Sequence, residues 1–441
     1  MNKFLLPLLI AMVISLPHSA QNASSRIIFE DVRIFDSEAM DLLPSMHVLV
    51  EGNIIKTVSQ SPIQGVGETK VIDGSGKTLI PGLIDVHVHM VFGNLSVPEM
   101  MSSELSEEMI MQKVSTGAKK MLLRGFTSVR DAGGPIFPLK TAIDRGAVWG
   151  PRIWPSGATI SQTSGHGDFR TPRERSRRFF GEVSRAEQLN ATFIADGVPE
   201  VLTATRENLR QGASQIKIMA GGGTSSSYDP IDVTQYTFEE MKAAVDAAED
   251  WGTYVMAHAY TPRAVQRAIK AGVKSIEHGQ LLDEETIELI AEKGVWLSLQ
   301  NLVDETPDMD SLRKIKRKPV LEGQPKVWGW AKKHRVKIAW GTDFLFEPEL
   351  NEQQNDYILR LKQWFSNAEI LKMITYDNAQ LLQLSGLRSP YQGKLGVIEQ
   401  GALADLILVD GNPLEDLSLL ADPEGKFAVI MKGGIIYQEQ P

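Results

Sequence analysis

The chain of 441 residues contains no cysteine. Disulfides and thiolate metal ligands are therefore excluded, and any metal site has to be built from histidine, carboxylate and other nitrogen or oxygen donors. Positive charge is in short supply: 46 Lys and Arg stand against 55 Asp and Glu, a net charge of −9. That balance argues against nucleic acid as a partner, because binding phosphates needs a basic surface. Long hydrophobic runs are missing too. The apolar stretch at residues 4–16 is 13 residues long, short of the about 20 that a membrane-spanning helix requires. No stable membrane span is expected once this stretch is removed.

What is present is globular composition, 42% hydrophobic with 37 glycines, enough for a large core. Residues 1–20, "MNKFLLPLLIAMVISLPHSA", read as a signal peptide: Lys3 starts it, the apolar run follows, and Ala20 offers a small residue for cleavage. A secreted or periplasmic location is expected. Residues 26–80 and 385–441 both alternate short β-like runs with turns, as in "RIIFEDVRIFD" and "GALADLILVDGNP". They are expected to pair into one small composite β-sandwich domain. Between them, over 81–384, strand-like and helix-like runs alternate. Strand ends are expected at 82–90, 126–134, 152–161, 215–223, 253–260, 275–280, 296–302 and 337–344. Eight βα units in a row predict an α/β fold, a closed (β/α)8 TIM barrel, with its chemistry at the C-terminal ends of the strands.

The stretch "PGLIDVHVHM" (81–90) carries His87 and His89 two residues apart, on one strand face together with Asp85. Alone, such a pair can be one core histidine and one exposed one. The later strands change the weighing. Lys217 lies in strand four, His258 ends strand five, His278 ends strand six and Asp343 ends strand eight. Four imidazoles, a lysine and a carboxylate converge on one barrel mouth. The donor set suits a divalent transition metal, zinc being the default for nitrogen-rich sites. Lys217 has two readings. It can salt-bridge a neighbour, or nearby positive charge can leave it a neutral amine that adds carbon dioxide. The resulting carbamate could bridge two metals about 3.5–4 Å apart.

This order of residues resembles the amidohydrolase superfamily, and the resemblance extends to the split β-domain and its "GALADLILVDGNPLED" segment. It implies that His87, His89 and Asp343 hold one metal and His258 and His278 the other. Lys217, N-carboxylated, would bridge the two. A hydroxide between two zinc ions would attack the amide, with Asp343 as the base. "KIMAGGGTSSSYDP" and "SGHGD" resemble the imidazolonepropionase-related group, in particular its Xaa-Pro dipeptidase (prolidase-like) members, and ochratoxin-cleaving amidases look similar. By that similarity His166 polarises the scissile carbonyl and Tyr228 helps hold the substrate carboxylate. Taken by themselves, His166 can equally cap a loop and Tyr228 can equally be loop packing.

Other signals are weaker. "RTPRERSRRFF" (170–180) reads as a solvated charged face, or else as a rim attracting an anionic substrate tail. "RKIKRK" (313–318) reads the same way, between strand seven and the next helix. Arg130 and Asp131 read as a structural pair. The "AGGG" at 220–223 lacks the P-loop spacing and is not a phosphate cradle. His18, His47 and His334 fall away from the mouth. The composite expectation is a hydrolase of dipeptides or N-acyl amino acids, above all at Xaa-Pro-type bonds. Its substrate is a small molecule or dipeptide, and homo-oligomerisation is left open. Two rivals stand beside it: a one-metal cyclic-amide hydrolase or deaminase, and a non-catalytic, metal-stabilised binding protein.

Overall fold

The computed structural model describes residues 26–102, 104–306 and 309–440, so the signal-peptide reading of residues 1–20 lies outside the described residues. At the N-terminal end five strands follow one another: β1 (Arg26–Asp36), β2 (Asp41–Glu51), β3 (Ile54–Ser59), β4 (Thr69–Asp73) and β5 (Thr78–Pro81). The barrel contributes β6 (Leu83–Val88), β7 (Phe126–Asp131), β8 (Arg152–Pro155), β9 (Thr159–Ser161), β10 (Thr192–Ile194) and β11 (Ile216–Met219). It continues through β12 (Val255–Ala259), β13 (Ser275–His278), β14 (Trp296–Gln300) and β15 (Lys337–Gly341). The C-terminal end returns with β16 (Leu406–Val409), β17 (Phe427–Lys432) and β18 (Ile435–Glu439).

The two chain ends do pair. Their strands form one hydrogen-bonded sheet in the order β18-β17-β16-β5-β1-β2-β3, joined where β16 runs antiparallel to β5. β1 serves two neighbours along one edge, β4 beside Arg26–Glu30 and β5 beside Arg33–Ile34. It can do so because its pairing with β2 shifts register between Phe29 and Ile34, around Asp31 at φ 52. Alternating residues such as Phe29, Val32, Val48, Val50, Leu79, Leu406 and Val429 close a core of their own. Asp405 ties this unit to the barrel: its carboxylate accepts from both Arg152 nitrogens at 3.0 and 3.1 Å.

The barrel strands run parallel, each register pairing the next strand from β11 to β15. Closure between the last strand and the first is visible where Asp343 N donates to His87 O at 2.8 Å. Helices form where the sequence combines a cap with a 3.6-residue apolar period. Thr237 and Glu240 make a capping box for the helix Phe238–Asp250, which buries Met241, Ala244, Val245 and Ala248. Asp283 caps Glu284–Glu292 by accepting from Thr286 N, and Ile287 and Ile290 face inward.

One expectation needs correcting. The third barrel strand is not continuous over 152–161 but breaks into β8 and β9, and β10, not anticipated, pairs with β9. The break has a cause. Asn208 replaces the ladder there, accepting from Ala158 N at 3.1 Å and donating to Ala158 O at 2.7 Å. Gly157 sits beside it at φ 76, with no room for a Cβ against the Asn208 side chain.

Candidate metal-dependent active site

The six residues singled out by the sequence are brought to one end of the barrel. His87, His89, Lys217, His258, His278 and Asp343 line one narrow cavity, together with His166. All are buried except Asp343, whose side chain is 20% exposed, the accessible end of the cluster. His87 Nε2 lies 3.4 Å and His89 Nε2 3.2 Å from Asp343 Oδ1. His278 Nε2 lies 3.9 Å from Asp343 Oδ2. Lys217 Nζ is 3.5 Å from His87 Nε2. The neighbours turn the rings: His87 Nδ1 meets Glu277 Oε2 at 2.7 Å, and His89 Nδ1 meets Gly133 O at 2.9 Å. Each bond makes Nδ1 the protonated nitrogen and leaves the Nε2 lone pair facing the cluster. His258 is held the other way round, with Nε2 against Gly222 O at 3.0 Å, so that its Nδ1 is the free one.

Such an arrangement fits a metal ion. Lone pairs of several neutral imidazoles and a carboxylate face each other in a buried space, and His278 Nδ1 is buried without a hydrogen-bond partner. Donor atoms of His87, His278 and Asp343 all lie within 4.8 Å of one another. Burial, the positive Lys217 and neighbouring imidazoles keep three of the rings neutral: His87 is pushed down to about 4, and His258 and His278 well below the usual histidine range. Burial alone would raise Asp343, but His87, the bond from His89 and His278 outweigh it and hold the carboxyl well below its ordinary range. Burial lowers Lys217 to about 8.

The backbone adds a second mark. His278 and Asp343 adopt φ of 82 and 55, the left-handed region that residues other than glycine rarely enter. Each such residue costs about 1–3 kcal/mol and persists where the surroundings hold it, as at ligand-binding sites. Here that strain turns two side chains inward at the ends of β13 and β15. Asp85, on the face of the two histidines, does not join the cluster. Its carboxylate takes the amide of His87, the amide and hydroxyl of Thr342, and Gln354 Nε2. It thereby locks β6 to the end of β15, next to Asp343.

His166 follows β9 on a loop and stacks on His258, ring centroids 4.0 Å apart. Ser226 Oγ is 2.8 Å and Asp229 Oδ2 3.4 Å from its Nδ1, which leaves Nε2 as the nitrogen available to a ligand. A Cβ at Gly223 would overlap the His166 ring. One at Gly222 would overlap the carbonyl of Pro230. The glycine run therefore makes room for packing, in keeping with its rejection as a phosphate cradle. Tyr228 is 45% exposed and stands outside the metal cavity, at the mouth of the neighbouring one.

Two secondary readings change. Arg130 does not pair with Asp131. Its guanidinium crosses the barrel to Glu277 at 2.7 and 2.8 Å, while Asp131 accepts from the amides of Met90 and Gly133. The 313–318 run lies inside the helix Ser311–Lys333 and is not a wholly solvated face. Lys316 is buried and donates to Ser226 O at 2.8 Å, and Arg317 is buried against Val303 O. The 170–180 stretch is largely exposed, as a solvated charged face, with Arg170 paired to Asp168, Arg177 to Glu187 and Arg178 to Glu200. His47 lies in β2, and His334 ends a helix 2.8 Å from Glu284. The residues missed from the sequence are Glu277, Asp229 and Ser226. Glu277 had a signal, an acid inside an apolar strand directly before His278; the other two had none beyond loop polarity.

Comparison with known proteins agrees with this geometry. The model of the "Amidohydrolase family" matches residues 78–436. The ochratoxinase of Aspergillus niger is 33% identical over 377 residues, 82% of this chain and 75% of its own. Among solved structures, a prolidase complexed with N-methylphosphonate-L-proline superposes with a TM-score of 0.86 at 35% identity, covering 94% of this chain and all (100%) of that one. A Xaa-Pro dipeptidase with methionine bound in its active site gives 0.76 at 30% identity, again over 94% of this chain and 100% of the other. On the barrel with its composite terminal sheet, the candidate metal-ligand set at the strand ends and the family match over residues 78–436, the chain belongs to the amidohydrolase family.

Proposed function

We propose that the protein is a two-zinc hydrolase of the amide bond in dipeptides or N-acyl amino acids, with Xaa-Pro-type bonds as the first candidates. The observation that carries this reading is the convergence of His87, His89, His258, His278, Asp343 and Lys217 on one buried cavity. His87, His89 and Asp343 would hold one ion and His258 and His278 the other, with Lys217, N-carboxylated, between them. Bound there, the metals supply Lewis-acid polarisation of a carbonyl and a water acidic enough to react near neutral pH.

The chain's own groups do the rest. Asp343 stays ionised and takes the proton of the attacking water, then returns it to the leaving nitrogen as the C–N bond breaks. His166, fixed by Ser226 and Asp229, donates toward the carbonyl oxygen as negative charge develops on it. Tyr228, exposed at the mouth, helps hold the substrate carboxylate. The prolidase and dipeptidase likenesses support the dipeptide reading, and ochratoxinase supports the N-acyl amino acid reading. Export is part of the proposal and rests on residues 1–20; among the described residues no helix is long and apolar enough to cross a membrane.

Elemental analysis paired with hydrolysis of Xaa-Pro, Xaa-Arg and Xaa-Leu dipeptides tests it. About two metals per chain and turnover lost in Lys217→Ala are expected. The tight grouping of His87, His278 and Asp343 favours a second reading, a one-metal cyclic-amide hydrolase or deaminase. One metal per chain and no dipeptide cleavage would decide for it.

A further inference from the structure

The metal cavity offers a free volume of only about 30 Å³, far below the about 300–1,000 Å³ in which small molecules are usually bound. A substrate must therefore place most of its body elsewhere. A second cavity of about 320 Å³ adjoins it and shares Phe92, Phe169, Ser225 and Phe346 as walls. That size reaches the range of about 300–1,000 Å³ in which small molecules are bound. Its partition is aromatic: Phe92 and Phe346 centroids are 5.8 Å apart, and Phe169 stands edge-on to both at 6.3 and 6.5 Å. Beyond it the walls are Met100, Ala186 and Leu189, and Val97 and Met101 lie at the mouth 48% and 45% exposed. Large apolar side chains left open beside a polar metal cavity mark a surface that a ligand covers. Tyr228 lines this second cavity and not the first.

We infer that this cavity is a specificity subsite for an apolar side chain on the leaving amino acid, from the proline ring of the Xaa-Pro candidates up to leucine, methionine or phenylalanine. The inference rests on the proposed function, since it takes Tyr228 to be near the substrate carboxylate. The residue bearing that carboxylate then directs its side chain into the apolar cavity, while its amide nitrogen remains at the metal cavity. The polar lining includes Arg170, whose guanidinium is neutralised by Asp168, together with Glu174 and Arg185, whose guanidinium reaches Leu105 O at 3.5 Å. An apolar guest packs against the aromatic partition, Met100 and Leu189 instead.

The test measures kcat/KM of the metal-loaded protein on Ala-Phe, Ala-Leu, Ala-Pro, Ala-Ala and Ala-Gly. The Phe and Leu substrates are expected to exceed Gly by about 10- to 100-fold, the discrimination an apolar pocket can supply. Ala186→Phe fills the cavity from one wall, and Val97→Asp charges its mouth at an exposed first-turn position that the helix tolerates. In either variant the Phe-to-Gly ratio should fall several-fold toward one. Turnover with a ratio near one in the unaltered protein overturns the subsite and leaves the proposed function standing. Absence of turnover on every dipeptide and N-acyl amino acid overturns the proposed function. In that case, calorimetric titration with L-phenylalanine and glycine still reads the cavity. Phenylalanine binding that Ala186→Phe abolishes upholds the cavity as an apolar side-chain site, and equal heats for the two amino acids overturn it.

Discussion

Nδ1 of His87 stands 2.7 Å from Oε2 of Glu277, and behind that carboxylate Arg130 closes a bond of 2.7 Å to its other oxygen. Both acid and guanidinium are fully buried, and Ser275 Oγ and Tyr254 complete the network. Burial raises the Glu277 carboxyl, but Arg130 and His87 outweigh it and keep the group ionised. The imidazole is thus aimed by a fixed charge rather than by packing alone. Glu277→Gln should weaken metal binding by about 10- to 100-fold, read by competition with a chelator. It also strands the Arg130 charge, so chemical denaturation should show a loss of about 3–5 kcal/mol. Unchanged metal affinity in a folded variant would remove Glu277 from the site.

Asp343, the proposed base, adopts a left-handed backbone, φ 55. Asparagine tolerates that backbone better than most residues and keeps the shape. Asp343→Asn should therefore fold with near-normal stability while turnover drops by about 10²- to 10⁴-fold, the size of a general-base contribution. Thermal melting alongside steady-state kinetics checks both halves. Full activity would sink the base role.

Lys217 should make reconstitution depend on pH and bicarbonate. Burial lowers its pKa to about 8, and only the neutral amine can add carbon dioxide. Metal loading of the metal-free protein should be slow well below pH 8 and faster above it, with bicarbonate accelerating it and Lys217→Ala abolishing the effect. The sign for stability follows from the same shift. Between about 8 and the ordinary 10.5 the unfolded chain holds a proton that the folded chain does not. The metal-free protein therefore gains stability from this group as pH rises through that window, and Lys217→Met should lose that gain. Urea titrations at several pH values would measure it, and identical slopes in both proteins would refute it.

Gly223 and Gly222 should fail differently. A Cβ at 223 displaces the His166 ring, a side chain that can move, so Gly223→Ala should keep its metals and lose turnover. A Cβ at 222 meets the backbone carbonyl of Pro230, which yields less easily, so Gly222→Ala should lower the melting temperature. Calorimetry and metal analysis of the two variants separate these outcomes.

The sequence by itself determined the strand-helix alternation, the pairing of the chain ends and the six residues that meet at the mouth. These are periodic or terminal features: an apolar strand ending in a polar residue announces both its element and where that residue emerges. Even Glu277 was within reach, because an acid within "SIEH" needs a buried partner. Only the tertiary structure decided which partner. Arg130 and Glu277 lie on different strands, so their bond, and the failure of Arg130 to pair with adjacent Asp131, follow from barrel geometry rather than from sequence neighbourhood. The same holds for Asn208 breaking the third strand, for Lys316 reaching the Ser226 loop from a helix, and for the aromatic partition between the two cavities. Local patterns specify elements and the face each side chain takes, whereas contacts between distant segments depend on how closed strands and loops bring those faces together.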